Sequence, residues 1–213
     1  MSDLINIDFG LNTDQVEDVV GESLAEESSE KPCFYKRKTK VLARKAISET
    51  NLMDVLDKER EFKAGYSYHF LTAGDIDILS FLKFITRYAD IDYLVVSTWC
   101  MAVDDIKEFE QWLAKKKIKK ILFCLGEIFK GSYSNEYILL KELREKYDVR
   151  LTIFKNHSKV ITGYSKDYYF TIESSANINT NPRTENAVLT VDKKLFEFYN
   201  DYYSKINSFD KEQ

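Results

Sequence analysis

The chain has 213 residues, 44% of them hydrophobic, and a formal charge of −4, which is the size of one ordinary domain with a short extension. With 14 Tyr and 14 Phe but only 7 Gly and 2 Pro, it is not a low-complexity chain, and no apolar run approaches the roughly 20 residues that span a bilayer. Cys33, Cys100 and Cys124 are too scattered and odd in number for a metal pair or a disulfide framework. With no basic-then-apolar segment at the N-terminus, the expectation is buried thiols in a reducing cytoplasm.

The charge is unevenly spread. Residues 1–30 hold nine of the 35 acidic residues and none of the 31 basic ones, so the rest of the chain is at about +5. The segment 1–30 is expected to be a solvated, disordered acidic leader. A mobile polyanion mimic lying over a basic site is the sharper alternative. Residues 31–65 are expected to be a basic segment (Lys36, Arg37, Lys38, Lys40, Arg44, Lys45) followed by a helix from about Ser48 to Arg60. Ser48 would cap it, and Leu52, Val55 and Leu56 would share a face.

Residues 66–213 are read as one domain. Tyr66–Leu71 is predicted to be a strand and Ile76–Ala89 a helix, with Asp75 as its cap. Tyr93–Trp99 is a near-continuous apolar β run, expected of a strand covered on both faces. An amphipathic helix is predicted over Asp104–Lys116, a buried strand over Lys120–Leu125, a helix over Asn135–Tyr147 and a strand over Val149–Phe154. This alternation implies an α/β sheet with helices on its faces and parallel strands joined by right-handed crossovers. Two further β runs, Lys159–Thr162 and Tyr168–Ile172, would form a hairpin around a Gly-containing loop at 163–167. Another β segment spans Ala187–Val191. Leu195–Ile206 closes the chain as an aromatic helix whose Phe196, Tyr199, Tyr202 and Tyr203 are assigned to core packing.

The chemistry concentrates around that hairpin. His157 and Lys159 are two residues apart, so in extended chain they project together. The returning strand delivers Ser175 and Asn177 near the same edge, and Glu185 follows a turn. The set suits attack on phosphorus. An imidazole can be the nucleophile when it is neutral at one nitrogen and held at the other, and Glu185 is the candidate carboxylate to hold it. A lysine neutralises phosphoryl oxygens, and an amide and a hydroxyl donate to them. No cluster of carboxylates, His or Cys is present to hold a metal, so neither metal nor other cofactor is expected. Asn177, Asn179 and Trp99 join Lys159 as candidates for substrate contact. Trp99 ends a strand, where open α/β sheets place ligands, although such a Trp is more often simply packed. Lys115, Lys116, Lys117, Lys119 and Lys120 are read first as a solvated face, and only second as a guide for a polyanion.

His157-x-Lys159 followed by Ser175-x-Asn177 resembles the HxK…GSxN signature of the phospholipase D superfamily, and Thr184-Glu185-Asn186-Ala187-Val188 strengthens the likeness. The pattern is similar to that of the small bacterial endonucleases of the superfamily, which carry one motif per chain. The resemblance implies a phospholipase D-like mixed sheet flanked by helices. It also implies metal-independent phosphodiester hydrolysis through a phosphohistidine, with a second histidine protonating the leaving oxygen. Two departures stand out: Tyr164 occupies the place of the motif aspartate, and Ser174 that of the motif glycine. Only His69 and His157 exist in the chain. The second catalytic imidazole is therefore expected from another copy of His157 across a homodimer axis, and His69 is read as structural. A nuclease is the leading expectation. A catalytically degenerate nucleic-acid-binding module and a lipid phosphodiesterase are the alternatives.

Overall fold

The structure is a computed structural model that describes residues 50, 52–54, 56, 63–72, 76–178 and 183–209. The expected acidic leader, the basic residues Lys36–Lys45, Cys33, Ser48, Asp75 and Asn179 lie outside the described residues. Seven strands form one sheet: β1 (Tyr66–Thr72), β2 (Ile91–Thr98), β3 (Ile121–Gly126), β4 (Val149–Phe154), β5 (Val160–Ser165), β6 (Tyr169–Ser174) and β7 (Glu185–Val191). Four described helices flank it: α1 (Ile78–Tyr88), α2 (Val103–Ala114), α3 (Ser134–Lys146) and α4 (Lys193–Ser204), with a 3-10 turn at Glu127–Lys130. The strand order is β1-β7-β6-β5-β2-β3-β4.

The two apolar runs read as doubly covered strands are the centre of the sheet. β3 is buried along its whole length, and in β2 Leu94–Thr98 are all buried. Their residues alternate between two cores. Leu94 and Val96 join a large cluster with Phe81 and Ile85 of α1, Phe109 and Leu113 of α2, and Leu140 of α3. Val95, Leu122, Cys124 and Val160 join a smaller one with Tyr203 of α4. One sheet face is thus covered by α1–α3 and the helical residues around Leu52 and Leu56, while α4 covers the other. This is the mixed, helix-flanked sheet of the phospholipase D-like fold.

β2, β3 and β4 pair in parallel, as the crossover rule requires. β1 runs in the same sense as β2 but does not pair with it. Four antiparallel pairings, β1–β7, β7–β6, β6–β5 and β5–β2, separate the two. Two local expectations are corrected. The first helix starts later than predicted and is capped by Asp77, whose carboxylate accepts from the Ser80 backbone N–H at 3.0 Å. The hairpin turn does not contain Gly163, which lies inside β5 opposite Phe170. A Cβ there would stand 2.6 Å from the Tyr93 carbonyl oxygen, so the glycine serves close approach of strands. Ser165 closes the turn, its hydroxyl accepting from the N–H groups of Asp167 and Tyr168 at 3.2 and 3.3 Å.

Candidate active site

Among the described residues, His157, Lys159, Ser175 and Glu185 lie at one end of the sheet. β2, β3 and β4 end there, β6 ends there, and β5 and β7 begin there. Residues 155–159 bridge β4 to β5 without ladder pairing of their own, and they carry His157 and Lys159. The Lys159 ammonium donates to the His157 carbonyl oxygen at 2.6 Å and lies 3.1 Å from imidazole Nδ1. Both side chains therefore project to one side, as the spacing predicts. The imidazole is exposed and leans on Trp99, with ring centroids 5.3 Å apart at 51°.

Trp99 has its place because Gly126 ends β3. A Cβ at Gly126 would meet Trp99 Cδ1 at 2.8 Å and the Asn156 and Trp99 carbonyl oxygens at 3.1 Å. The indole thus rests on a bare backbone surface between β2 and the segment bearing His157.

Across the edge, the Ser175 hydroxyl donates to the Glu185 carboxylate in a short hydrogen bond and accepts from the Asn186 N–H at 3.1 Å. The backbone ties the two halves together, since the Ser174 N–H donates to the Lys159 carbonyl oxygen at 3.1 Å. Burial holds the Lys159 ammonium below the usual lysine range, while the nearby Cys100 thiol and Glu185 carboxylate oppose that shift. Asn177 is half-buried beyond the end of β6, and its amide oxygen is buried without a hydrogen-bond partner. A phosphodiester offers that oxygen no donor. The amide must be turned, Nδ2 toward the ligand, to bind one.

Both departures from the motif are absorbed by packing. Tyr164 is built into an aromatic group with Tyr93, Tyr169 and Phe196 under α4. Ser174 sits as the last residue of β6, where its hydroxyl donates to the Asn186 carbonyl at 2.8 Å and accepts from the Ala176 N–H at 3.0 Å. No glycine-only backbone is needed there, because the one left-handed non-glycine among the described residues is Lys116.

A lysine cluster and the second histidine lie away from this edge. Lys117, Lys119 and Lys120 stand before β3, at the opposite end of a strand about 20 Å long. They pair there with Asp90, Asp92 and Asp148 at 2.8, 2.6 and 3.4 Å. Their charge is locally matched and faces the wrong end of the sheet. His69 lies on edge strand β1, three strand spacings or about 14 Å from β5, and is exposed. Among the described residues no three His, Cys, Asp or Glu side chains converge as metal ligands, and no helix is long and apolar enough to cross a membrane.

Sequence reading missed Asn156, Ser97, Ser158 and Tyr203 as a group. Asn156 is buried and donates through Nδ2 to Ser97 Oγ and the Cys124 carbonyl at 2.9 and 2.8 Å. Only a polar residue beside the His-x-Lys spacing hinted at it.

No protein-family model matches the chain, and no curated protein matches it in sequence. Its fold is similar to polyphosphate kinase from Porphyromonas gingivalis, at TM-score 0.50 and 12% identity over 70% of this chain. The chain spans 27% of that protein's length. Weaker likenesses include phosphatidylserine synthase from Haemophilus influenzae (TM-score 0.48, 11% identity, 64% of this chain and 37% of that one). TrmBL2, an archaeal chromatin protein, is another (TM-score 0.47, 9% identity, 91% and 67%). At these identities the likeness is one of fold alone.

Proposed function

We propose that this chain is a metal-independent phosphodiesterase acting on nucleic acid, with His157 as nucleophile in a site completed by a second copy of the chain. The observation that supports it most is the Lys159 ammonium lying 2.6 Å from the His157 carbonyl and 3.1 Å from its Nδ1, at the sheet edge where Ser175 and Glu185 also meet. A nucleophile and a compact positive charge on one side of one short segment suit attack at a phosphoryl centre.

The Lys159 contact suggests an order of events. For Nε2 to attack, its lone pair must be free, so the imidazole proton sits on Nδ1. An ammonium donating to Nδ1 excludes that tautomer. The contact therefore belongs to the resting site. An incoming phosphodiester draws the Lys159 ammonium onto its oxygens, and the imidazole proton moves through solvent from Nε2 to Nδ1, where Glu185 accepts the Nδ1–H hydrogen bond. The Nε2 lone pair then forms the N–P bond as the P–O bond to the leaving oxygen breaks. The leaving oxygen takes its proton from the second imidazole, which enters the step as the imidazolium. That imidazole next removes a proton from water, and the water oxygen displaces Nε2 from phosphorus to give the phosphomonoester. His69, three strands away, is badly placed for this role, so the second copy of His157 supplies it.

The test is cleavage of a supercoiled plasmid and a labelled single-stranded oligonucleotide in EDTA, with His157→Asn as control. Cleavage by the wild-type chain that His157→Asn abolishes supports the reading. Strict dependence on added magnesium or manganese, or cleavage that survives His157→Asn, overturns it. A gel shift without cleavage on the same DNA would mark a binding module instead.

A further inference from the structure

Behind the edge lies a polar network that takes no part in the chemistry just described. Its hydrogen-bond directions can be worked out from the backbone inward. The Asn156 amide is oriented by two main-chain groups: Oδ1 accepts from the Ser158 N–H at 3.0 Å, and Nδ2 donates to the Cys124 carbonyl at 2.8 Å. The Ser158 hydroxyl also donates to Oδ1, at 2.6 Å, which uses its only proton. It must then accept from its other two neighbours, the Ser97 hydroxyl at 2.7 Å and the Tyr203 phenol at 2.8 Å. Ser97 in turn accepts from Asn156 Nδ2 at 2.9 Å, and the circuit closes. Burial raises the Tyr203 pKa, which keeps the phenol protonated as the donor this circuit requires.

The network sits where the main chain leaves the sheet ladder. Residues 155–159 have no ladder pairing, and the backbone bond from Ser174 to the Lys159 carbonyl holds only their end. Ser158, between the nucleophile and the lysine, points inward to α4. His157 and Lys159 must then point the other way, out over the edge. Tyr203 links this to the C-terminal helix, and the segment after it grips β4. Ser208 Oγ accepts from the Ile153 N–H at 3.0 Å, and the Phe209 N–H donates to the Ile153 carbonyl at 2.7 Å.

We infer that Ser158 and Tyr203 are positioning residues, which fix the direction of His157 and Lys159 by tying the segment between β4 and β5 to α4. The catalytic consequence rests on the phosphodiesterase reading, but the positioning itself does not.

The chain's two histidines make the test direct. In a carbon-edited spectrum of the imidazoles, His69 and His157 give one Cε1–H signal each, assigned with His69→Ala. Ser158→Ala and Tyr203→Phe are expected to shift or broaden the His157 signal and leave that of His69 in place. Ser158→Thr, which keeps the hydroxyl, is expected to leave the His157 signal near its wild-type position. An unmoved His157 signal in folded Ser158→Ala and Tyr203→Phe overturns the inference. If Ser158→Ala does not fold, Tyr203→Phe decides alone, because Ser97 still donates to Ser158 there. In the cleavage assay both variants should lower kcat about tenfold or more while KM holds within about twofold. KM and kcat moving together would indicate loss of structure and count against positioning. A wild-type chain with no cleavage at all refutes the phosphodiesterase reading and leaves the spectroscopic result standing.

Discussion

Gly126→Ala probes how the fold supports the site from beneath. The new Cβ would lie 2.8 Å from Trp99 Cδ1 and 3.1 Å from two carbonyl oxygens, those of Trp99 and Asn156. The indole carbon must retreat by about half an ångström to reach ordinary contact. The two oxygens must give by about 0.3 Å, and they belong to main chain. Overpacking of this kind costs about 1–3 kcal/mol, which for a domain of this size lowers Tm by about 2–12 °C. The displaced groups are the ring that leans against His157 and the residue that anchors Ser158. Turnover should therefore fall more than stability alone explains, by about tenfold to a hundredfold at temperatures where the variant is fully folded. Thermal unfolding followed by circular dichroism, with cleavage measured well below Tm, separates the two effects. A variant with wild-type Tm and wild-type turnover would refute the packing argument. A lowered Tm with unchanged turnover would show that Trp99 and Asn156 do not govern the imidazole.

Two further predictions concern the charge and the assembly. Burial depresses the Lys159 pKa, so its ammonium is lost at lower pH than an ordinary lysine's. Substrate affinity should weaken on the alkaline side before other lysines titrate, and Lys159→Arg should move that limb upward. Across the same window the unfolded chain binds the extra proton at this lysine, so the contribution of Lys159 to folding stability rises with pH; a KM flat through the lysine range would contradict the role of Lys159. Mixing wild-type chains with His157→Asn chains should lower activity roughly as the square of the wild-type fraction, given free exchange, whereas a linear fall would mean that each chain works alone.

Much of the fold was legible because its period signals are local. The apolar runs of β2 and β3, the helical spacing in α1 and α2, and the Lys159–Ile172 hairpin all follow from neighbours in sequence. The partner of β1 was not legible. It pairs with β7 through contacts such as Tyr66 with Val191, far apart in the chain, and nothing local marks that choice. Gly163 misled because a glycine between two β runs reads as a turn, while here it lets Tyr93 approach. The nearness of His157 to Lys159 was legible through their spacing. Their support was not, since Asn156 reads as a loop polar group and Tyr203 as one more aromatic of an aromatic helix. Only the three-dimensional circuit through Ser97 and Ser158 distinguishes them.

As nucleophile, His157 becomes covalently attached to phosphorus, and that adduct can be trapped. Wild-type protein would be mixed with an oligonucleotide, quenched at alkaline pH, where a phosphoramidate survives, and digested for mass spectrometry. The expected product is a peptide containing His157 that carries the mass of a phosphorylated nucleotide, lost on brief acid treatment and absent from His157→Asn. Cleavage that proceeds with no such adduct, or with the adduct on Ser175, would contradict His157 as the nucleophile.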